Sequence, residues 1–254
     1  MKRRLSFASV GVLAVAAALR PAAAADLGPY YGGPPTVVLF TWTGFYFGAH
    51  VGGAWGQKEV TTLPFTYAGA TFGPAATTVE PTGWLAGGQI GANYQAGSWV
   101  FGIEAQASWA DLSGSAGCLS ALGGVTLAIS CNAKVDALGT IAGRLGVAFD
   151  RVLVYGKGGA AWANDKYDLT SSIAGFNANE TRWGWMLGGG LEYAFTDAWS
   201  AKIEYNYLDF GTRGVAFTDT TGAFAFSTDI RQQIHVVKTG VNYRFGWAPV
   251  GVRY

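Results

Sequence analysis

Residues Trp199–Phe210 read Trp-Ser-Ala-Lys-Ile-Glu-Tyr-Asn-Tyr-Leu-Asp-Phe, and the odd positions Trp199, Ala201, Ile203, Tyr205 and Tyr207 are all apolar. The even positions include Ser200, Lys202, Glu204 and Asn206. Alternation over this length predicts a β-strand with one apolar and one polar face. In a soluble barrel or sandwich the apolar face is a core. In an outer-membrane barrel it meets lipid, and the charged face meets the lumen. Eight segments share the pattern: Gly44–Gln57, Gly83–Gln95, Trp99–Leu112, Val135–Phe149, Val152–Trp162, Thr181–Phe195, Trp199–Phe210 and Ile230–Phe245. Each reaches the roughly 9–11 residues that a tilted membrane strand needs.

The connections separate the two readings. Tight turns at Ala96–Ser98, Asp150–Arg151 and Thr196–Ala198 alternate with long stretches at Lys58–Thr82, Ser113–Lys134, Ala163–Glu180 and Gly211–Asp229. With an even strand count, the short turns fall at one end and the long stretches, read as outer loops, at the other. That is the outer-membrane asymmetry. One face carries Glu104, Gln106, Arg144, Lys157, Glu192, Lys202, Glu204, Lys238, Asn242 and Arg244. The other carries Phe101, Ile103, Trp109, Leu145, Phe149, Trp185, Leu187, Leu191, Phe195, Val237, Val241, Tyr243 and Phe245. Aromatics gather at segment ends, as membrane girdles do: Trp99, Phe149, Phe195, Trp199 and Phe245 by the turns, Trp55, Trp84, Trp109, Trp162 and Trp183 by the long stretches. The fold expected is all-β: an eight-stranded antiparallel up-and-down transmembrane β-barrel over residues 43–254, in a bacterial cell outer membrane.

An eight-stranded barrel is just wide enough for side chains to fill it. The inward charges are Glu104, Arg144, Lys157, Glu192, Lys202, Glu204, Lys238 and Arg244, five basic and three acidic. Charges in such a cylinder must pair or be hydrated. Pairing predicts a plugged lumen; hydration predicts a narrow conduit for small solutes with weak anion preference. Inward glycines such as Gly87, Gly91, Gly102, Gly188, Gly190 and Gly240 leave room for long side chains or water.

The amino terminus fixes the compartment. Lys2, Arg3 and Arg4 precede the apolar run Leu5–Leu19, and Ala22–Ala25 supplies an Ala-x-Ala cleavage site, so residues 1–25 read as a cleaved signal peptide. Residues 26–42, with Gly28, Pro29, Gly32, Gly33, Pro34 and Pro35, read as a turn-rich periplasmic linker. Composition supports the membrane reading: 50% of residues are hydrophobic and 13% charged, with 38 Gly and 10 Trp. No run is long enough for a transmembrane helix after the signal. Losing Lys2, Arg3, Arg4 and Arg20 leaves 13 of 17 basic residues against 16 acids. A mature chain near −3 with no basic tract points away from nucleic acid.

No constellation for catalysis appears. His50 faces the lumen and His235 sits near the top of the last strand; two histidines make no metal cluster. No serine carries a nucleophile motif, so no enzyme and no cofactor is expected. Lys157 in Tyr155-Gly156-Lys157-Gly158-Gly159 lacks the leading Gly and following Ser/Thr of a phosphate loop. Cys118 and Cys131 share one outer stretch, and in an oxidising compartment they are expected to form a disulfide. Phe-containing outer stretches, Phe65–Phe72 and Phe217–Phe226, read as loop tips or as an adhesive surface.

Several segments resemble the outer-membrane immunogenic protein family, a porin-like, OmpA-like barrel group of Gram-negative bacteria. The carriers are Trp42-Thr43-Gly44-Phe45-Tyr46-Phe47-Gly48, Gly87-Gly88-Gln89-Ile90-Gly91, Gly143-Arg144-Leu145-Gly146, Gly188-Gly189-Gly190-Leu191-Glu192-Tyr193, Lys202-Ile203-Glu204-Tyr205 and Gly240-Val241-Asn242-Tyr243-Arg244-Phe245. The resemblance implies a barrel that supports envelope integrity and exposes its outer part at the cell surface. Its partners would be outer-membrane lipids, lipopolysaccharide and the barrel-assembly machinery, which reads a terminal aromatic, here Phe245 or Tyr254. Some relatives are described as haem-binding and others as porins; His235, near an outer stretch, is the residue that haem would seek. OmpA relatives also carry a peptidoglycan-binding domain. Residues 246–254 are all that follow Phe245, so direct wall anchoring is not expected.

Overall fold

The computed structural model describes residues 40–62, 64–67, 70–72, 75–122, 125–170, 175–219, 222 and 224–245. The signal segment 1–25, the linker up to residue 39 and the tail 246–254 with Tyr254 lie outside the described residues. The strands are β1 (Gly44–Thr62), β2 (Phe65–Tyr67), β3 (Ala70–Phe72), β4 (Ala75–Val79), β5 (Thr82–Ala96), β6 (Trp99–Leu122), β7 (Val125–Phe149), β8 (Val152–Thr170), β9 (Gly175–Ala194), β10 (Trp199–Asp219) and β11 (Phe224–Phe245). Eight of them, β1 and β5 to β11, pair each with the next, all antiparallel. β1 pairs with β11 from Phe45↔Phe245 to Thr62↔Thr228, which closes the ring. Closure is what lipid demands of a sheet, because an open edge would leave main-chain groups without partners. The short β4 pairs with β1 at Lys58↔Val79 and continues the line of β5 past Pro81.

The tight turns lie where the sequence places them. Gly97 takes a left-handed φ of 60° between β5 and β6, and Asp150 takes φ 53° in the two-residue β7–β8 link. Asp tolerates that region better than most residues, and such a turn matches the twist of a hairpin. Between β9 and β10, Thr196 Oγ1 accepts hydrogen bonds from the backbone amides of Ala198 (3.3 Å) and Trp199 (2.9 Å).

The long connections differ from the expectation. Most of Lys58–Thr82, Ser113–Lys134, Ala163–Glu180 and Gly211–Asp229, expected as loops, continue the strands. β6 has 24 residues and β7 has 25, more than twice the roughly 9–11 that cross a membrane. The physical reason is that alternation does not stop at the outer girdle; it exchanges polarity. On β8 the outward positions run Val152, Val154, Gly156, Gly158 and Ala160, then the half-buried Asn164 and the exposed Lys166 and Asp168 beyond Trp162. A pattern searched for apolar-out strands ends at that exchange, whereas the ladder does not.

The interior is stratified. At the turn end, Trp42, Val100, Ala148, Leu153, Tyr155 and Ala194 pack together, with Phe40 against them. Above lies a layer of charged and amide side chains. A second apolar cluster follows, including Ala54, Leu85, Leu112, Val135, Leu138, Met186, Leu208, Phe210 and Ile234. Another polar layer separates it from a third apolar cluster built on Val79, Ala133, Tyr167, Ala178, Val215, Phe217 and Ile230.

Candidate functional site

Strand parity delivers every lumen charge expected from the sequence to the interior. Glu104, Arg144, Lys157, Glu192, Lys202, Glu204, Lys238 and Arg244 are all buried. Seven of them form one network. Lys157 Nζ reaches Glu104 (3.0 Å) and Glu204 (2.8 Å), and Lys202 Nζ reaches the same two carboxylates at 2.8 and 3.2 Å. Lys238 Nζ lies 3.2 Å from Glu204, and Arg144 pairs with Glu192. Neutral donors complete the carboxylates: Tyr46 donates to Glu104 (2.9 Å), Tyr155 to Glu204 (2.9 Å), Ser200 and Asn242 to Glu192 (2.6 and 2.8 Å). Gln106 donates to both Glu104 and Glu204. In a low-dielectric cylinder each charge therefore meets an opposite charge and further hydrogen bonds, the condition under which burial is tolerable.

Arg244 stands apart from the network. Its guanidinium lies 4.6 Å from the Phe40 ring centre and 5.0 Å from that of Trp42, and it donates to the Asp197 carbonyl (2.9 Å). Trp42 is 1% exposed, and its indole N–H donates to the Asp150 carbonyl (3.0 Å). Its backbone N–H donates to Gln95 Oε1 (2.8 Å). Residues 40–42, expected as the end of a linker, thus form the floor of the lumen. The inward glycines make the room that the network needs. A methyl on Gly91 would stand 2.4 Å from the Tyr46 ring, and one on Gly190 would stand 2.9 Å from the Tyr155 hydroxyl.

His50 faces the lumen as expected, held between Gln89 and Ser108 Oγ (2.7 Å). His235 does not lie at a loop. It sits within β11 on the outward face, stacked on Trp55 at 5.6 Å and hydrogen-bonded through Nδ1 to the Tyr205 hydroxyl (2.7 Å). The specific suggestion of haem at His235 loses the loop it relied on. Cys131 is disulfide-bonded; the side chain of Cys118 lies outside the described residues. Among the described residues no group of His, Cys, Asp or Glu is arranged to hold a metal ion.

A second buried polar layer lies above the first. Lys58 pairs with Asp165 (2.7 Å) and donates to the Tyr167 hydroxyl (3.2 Å), and Gln232 donates to Asp165 (3.1 Å). Arg182, 0% exposed, donates to the Ile230 carbonyl (2.9 Å). Sequence reasoning assigned or bordered these residues with loops and missed them. The available signal was parity: Lys58 shares it with His50 on β1, Asp165 with Lys157 on β8, and Arg182 with Glu192 on β9.

The outward face is the lipid face. Ile103 is 67% exposed, Leu187 61%, Ile90 64% and Phe245 52%, a band of large apolar side chains that water would not tolerate. Rings cluster at both ends of the band. Phe47, Tyr243, Phe245 and Trp199 contact one another near the turns, and Trp185 meets Tyr207 at the far end. Over residues 7–245 the chain matches the family described as outer membrane protein beta-barrel domain. The chain belongs to that family. It is also similar to the 31 kDa outer-membrane immunogenic protein of Brucella melitensis, 33% identical over 215 residues, 82% of this chain and 86% of that one. A 25 kDa outer-membrane immunogenic protein of Brucella abortus is 24% identical over 81% of this chain and 80% of its own length. Among solved structures, the outer membrane protease OmpT of Escherichia coli is similar with a TM-score of 0.49 and 11% identity, covering 83% of this chain and all of that one. A likeness that distant carries no activity across. This β-barrel therefore resides in the outer membrane, in an environment of lipid and lipopolysaccharide.

Proposed function

We propose that this barrel is a structural component of the outer membrane, sealed by its own side chains, without catalytic turnover. It contributes to envelope integrity and displays its upper half at the cell surface. The observation that carries this reading is the stack of layers in the lumen. A fully paired charge layer lies between the apolar floor around Trp42 and Leu153 and the apolar cluster around Leu85, Leu138 and Met186. A conduit needs continuous water. The cavity lined by Leu85, Ser108, Thr140 and Lys238 measures about 20 Å³, room for a single water. The names of the relatives, outer-membrane immunogenic proteins, support surface display.

The test is single-channel recording of the refolded protein in a planar bilayer. A folded, heat-modifiable barrel is expected to leave the bilayer silent. Discrete openings whose ion selectivity changes in Lys202→Glu would overturn the sealed lumen in favour of a narrow porin.

A further inference from the structure

Six of the eight barrel interfaces keep their ladder along the lengths of the paired strands, interrupted at most by a bulge, and β6 runs past the end of β5 without a ladder partner on that side from Gly114 to Ala121. The β9–β10 interface is interrupted within both strands. Its pairing stops at Asp209↔Trp185 and resumes at Thr218↔Asn177. Between those points neither Ala178–Gly184 nor Phe210–Ala216 has a ladder partner across the seam, although β9 stays paired with β8 throughout and β10 with β11 from Thr212 onwards. The gap begins where the strands touch: a methyl on Gly184 would collide with the Asp209 carbonyl oxygen. It starts at the outer aromatic girdle, with the exposed Trp185 at its lower edge and the exposed Trp183 within it.

The layer behind this gap is the upper polar one. Main-chain and side-chain polar groups that are buried need partners. Nine buried side-chain polar atoms among the described residues lack a hydrogen bond, and five belong to Asp136, Asp165, Glu180 and Arg182. Arg182 Nε stands 3.5 Å from Asp165 and Nη2 3.3 Å from Glu180, ion pairs too loose to serve as hydrogen bonds. A cavity of about 200 Å³ opens on the β7–β9 side of this layer, lined by Asp136, Asp165 and Glu180 and by Asn164, Lys166, Asn179 and Thr181. Apolar clusters lie below and above this layer, so neither end of the lumen supplies it with water. Access has to come from the side. Arg182 itself reaches from β9 past β10 to the Ile230 carbonyl of β11, spanning the stretch where the ladder is missing.

We propose that the β9–β10 seam is a lateral opening in the barrel wall, latched by Arg182, through which water and small polar solutes from the headgroup layer reach the polar layer around Asp165. Hydrogen–deuterium exchange on the folded protein in lipid nanodiscs tests it. Amides of residues 178–184 and 210–216 are expected to exchange at least about tenfold faster than those of residues 58–61 on β1, which are paired on both sides. Equal protection of the two sets would overturn the opening. Labelling by a water-soluble maleimide gives a second reading. Gln232→Cys, in the layer behind the seam, is expected to react faster than Ser108→Cys in the lower layer, and faster again when Arg182→Ala is added. Equal rates at the two cysteines would remove the lateral path, and an unchanged rate in the Arg182→Ala background would remove the latch. Should that variant fail to fold, exchange in the unmodified protein still decides.

Discussion

The lower and upper halves of this barrel are built from the same strands, joined on several of them by a bulge, yet they are inverted with respect to each other. On β10, Ala201, Ile203 and Tyr205 face lipid while Lys202, Glu204 and Asn206 face inward. Past the bulge between Asp209 and Thr212 the inward parity of the same strand switches: Val215 and Phe217 are buried, while Ala216 and Thr218 lie towards the outside and Arg213 is exposed beside the bulge. Parity decides which face a residue occupies. The medium outside decides which chemistry that face can carry. Where the surroundings are hydrocarbon, apolar groups gain nothing from the interior and polar ones must satisfy one another there. Where the surroundings are water, burying apolar surface again stabilises, and the upper half becomes an ordinary soluble barrel.

The largest effect expected from this contrast comes from the lower network. Glu204→Leu would strand Lys157, Lys202 and Lys238 beside a single remaining neighbouring carboxylate, Glu104, and is expected to lower stability by about 3–5 kcal/mol. Denaturant unfolding in lipid vesicles measures it. Asp165→Leu removes the partner of Lys58 in the upper layer, where water from the side can solvate what is left. A loss of about 1–3 kcal/mol is expected there. Equal losses in both variants would mean that the two polar layers are not differently hydrated.

Outward charges sharpen the comparison from the other side. Ile203→Lys puts an ammonium at mid-membrane and should destabilise by about 2–4 kcal/mol. Asn164→Lys, outward on β8 but above the girdle, should stay within about 0.5 kcal/mol of the parent. A large cost at residue 164 would place the hydrocarbon boundary higher than Trp162. Packing gives a third contrast. Gly91→Ala drives a methyl into Tyr46 and should lose about 1–3 kcal/mol. Gly117→Ala in the upper half meets nothing within 4 Å and is expected to leave the unfolding midpoint unchanged.

The lower half was legible in the sequence because its alternation is extreme. Charges such as Glu104, Lys157 and Lys202 alternate with Ile103, Val154 and Ile203, and only a lipid-facing strand tolerates that arrangement over so many segments. The upper half was not. Its outward positions Asn164, Lys166 and Asp168 look like loop residues, and inward Ala163 and Ala178 give too weak an apolar signal to mark a strand. The positions of the inward charges follow from alternation, but their connectivity was not accessible. Whether Glu104 takes Lys157, Lys202 or both depends on reach across the barrel, from β6 to β8 and β10, which no single-strand pattern contains. Phe40 and Trp42 were missed for a related reason: a Pro- and Gly-rich approach reads as linker, and nothing local reveals that its end turns into the barrel mouth.

The smallest predicted effect separates surface pairing from lumen pairing. Lys134 and Asp111 form an ion pair at 2.9 Å on the outside of the upper half, with side chains 51% and 53% exposed. Water solvates both partners of such a pair, so Lys134→Met should lower stability only slightly at low ionic strength. At about 1 M salt, where screening acts within roughly 3 Å, that difference should vanish. Lys157→Met breaks pairs of similar length to Glu104 and Glu204. In a sealed lumen those partners are out of reach of ions, so its cost should be much larger and nearly the same at both salt concentrations. If the effect of Lys157→Met were to fall with added salt as that of Lys134→Met does, ions would have to reach the lower network, and a sealed lumen could not stand.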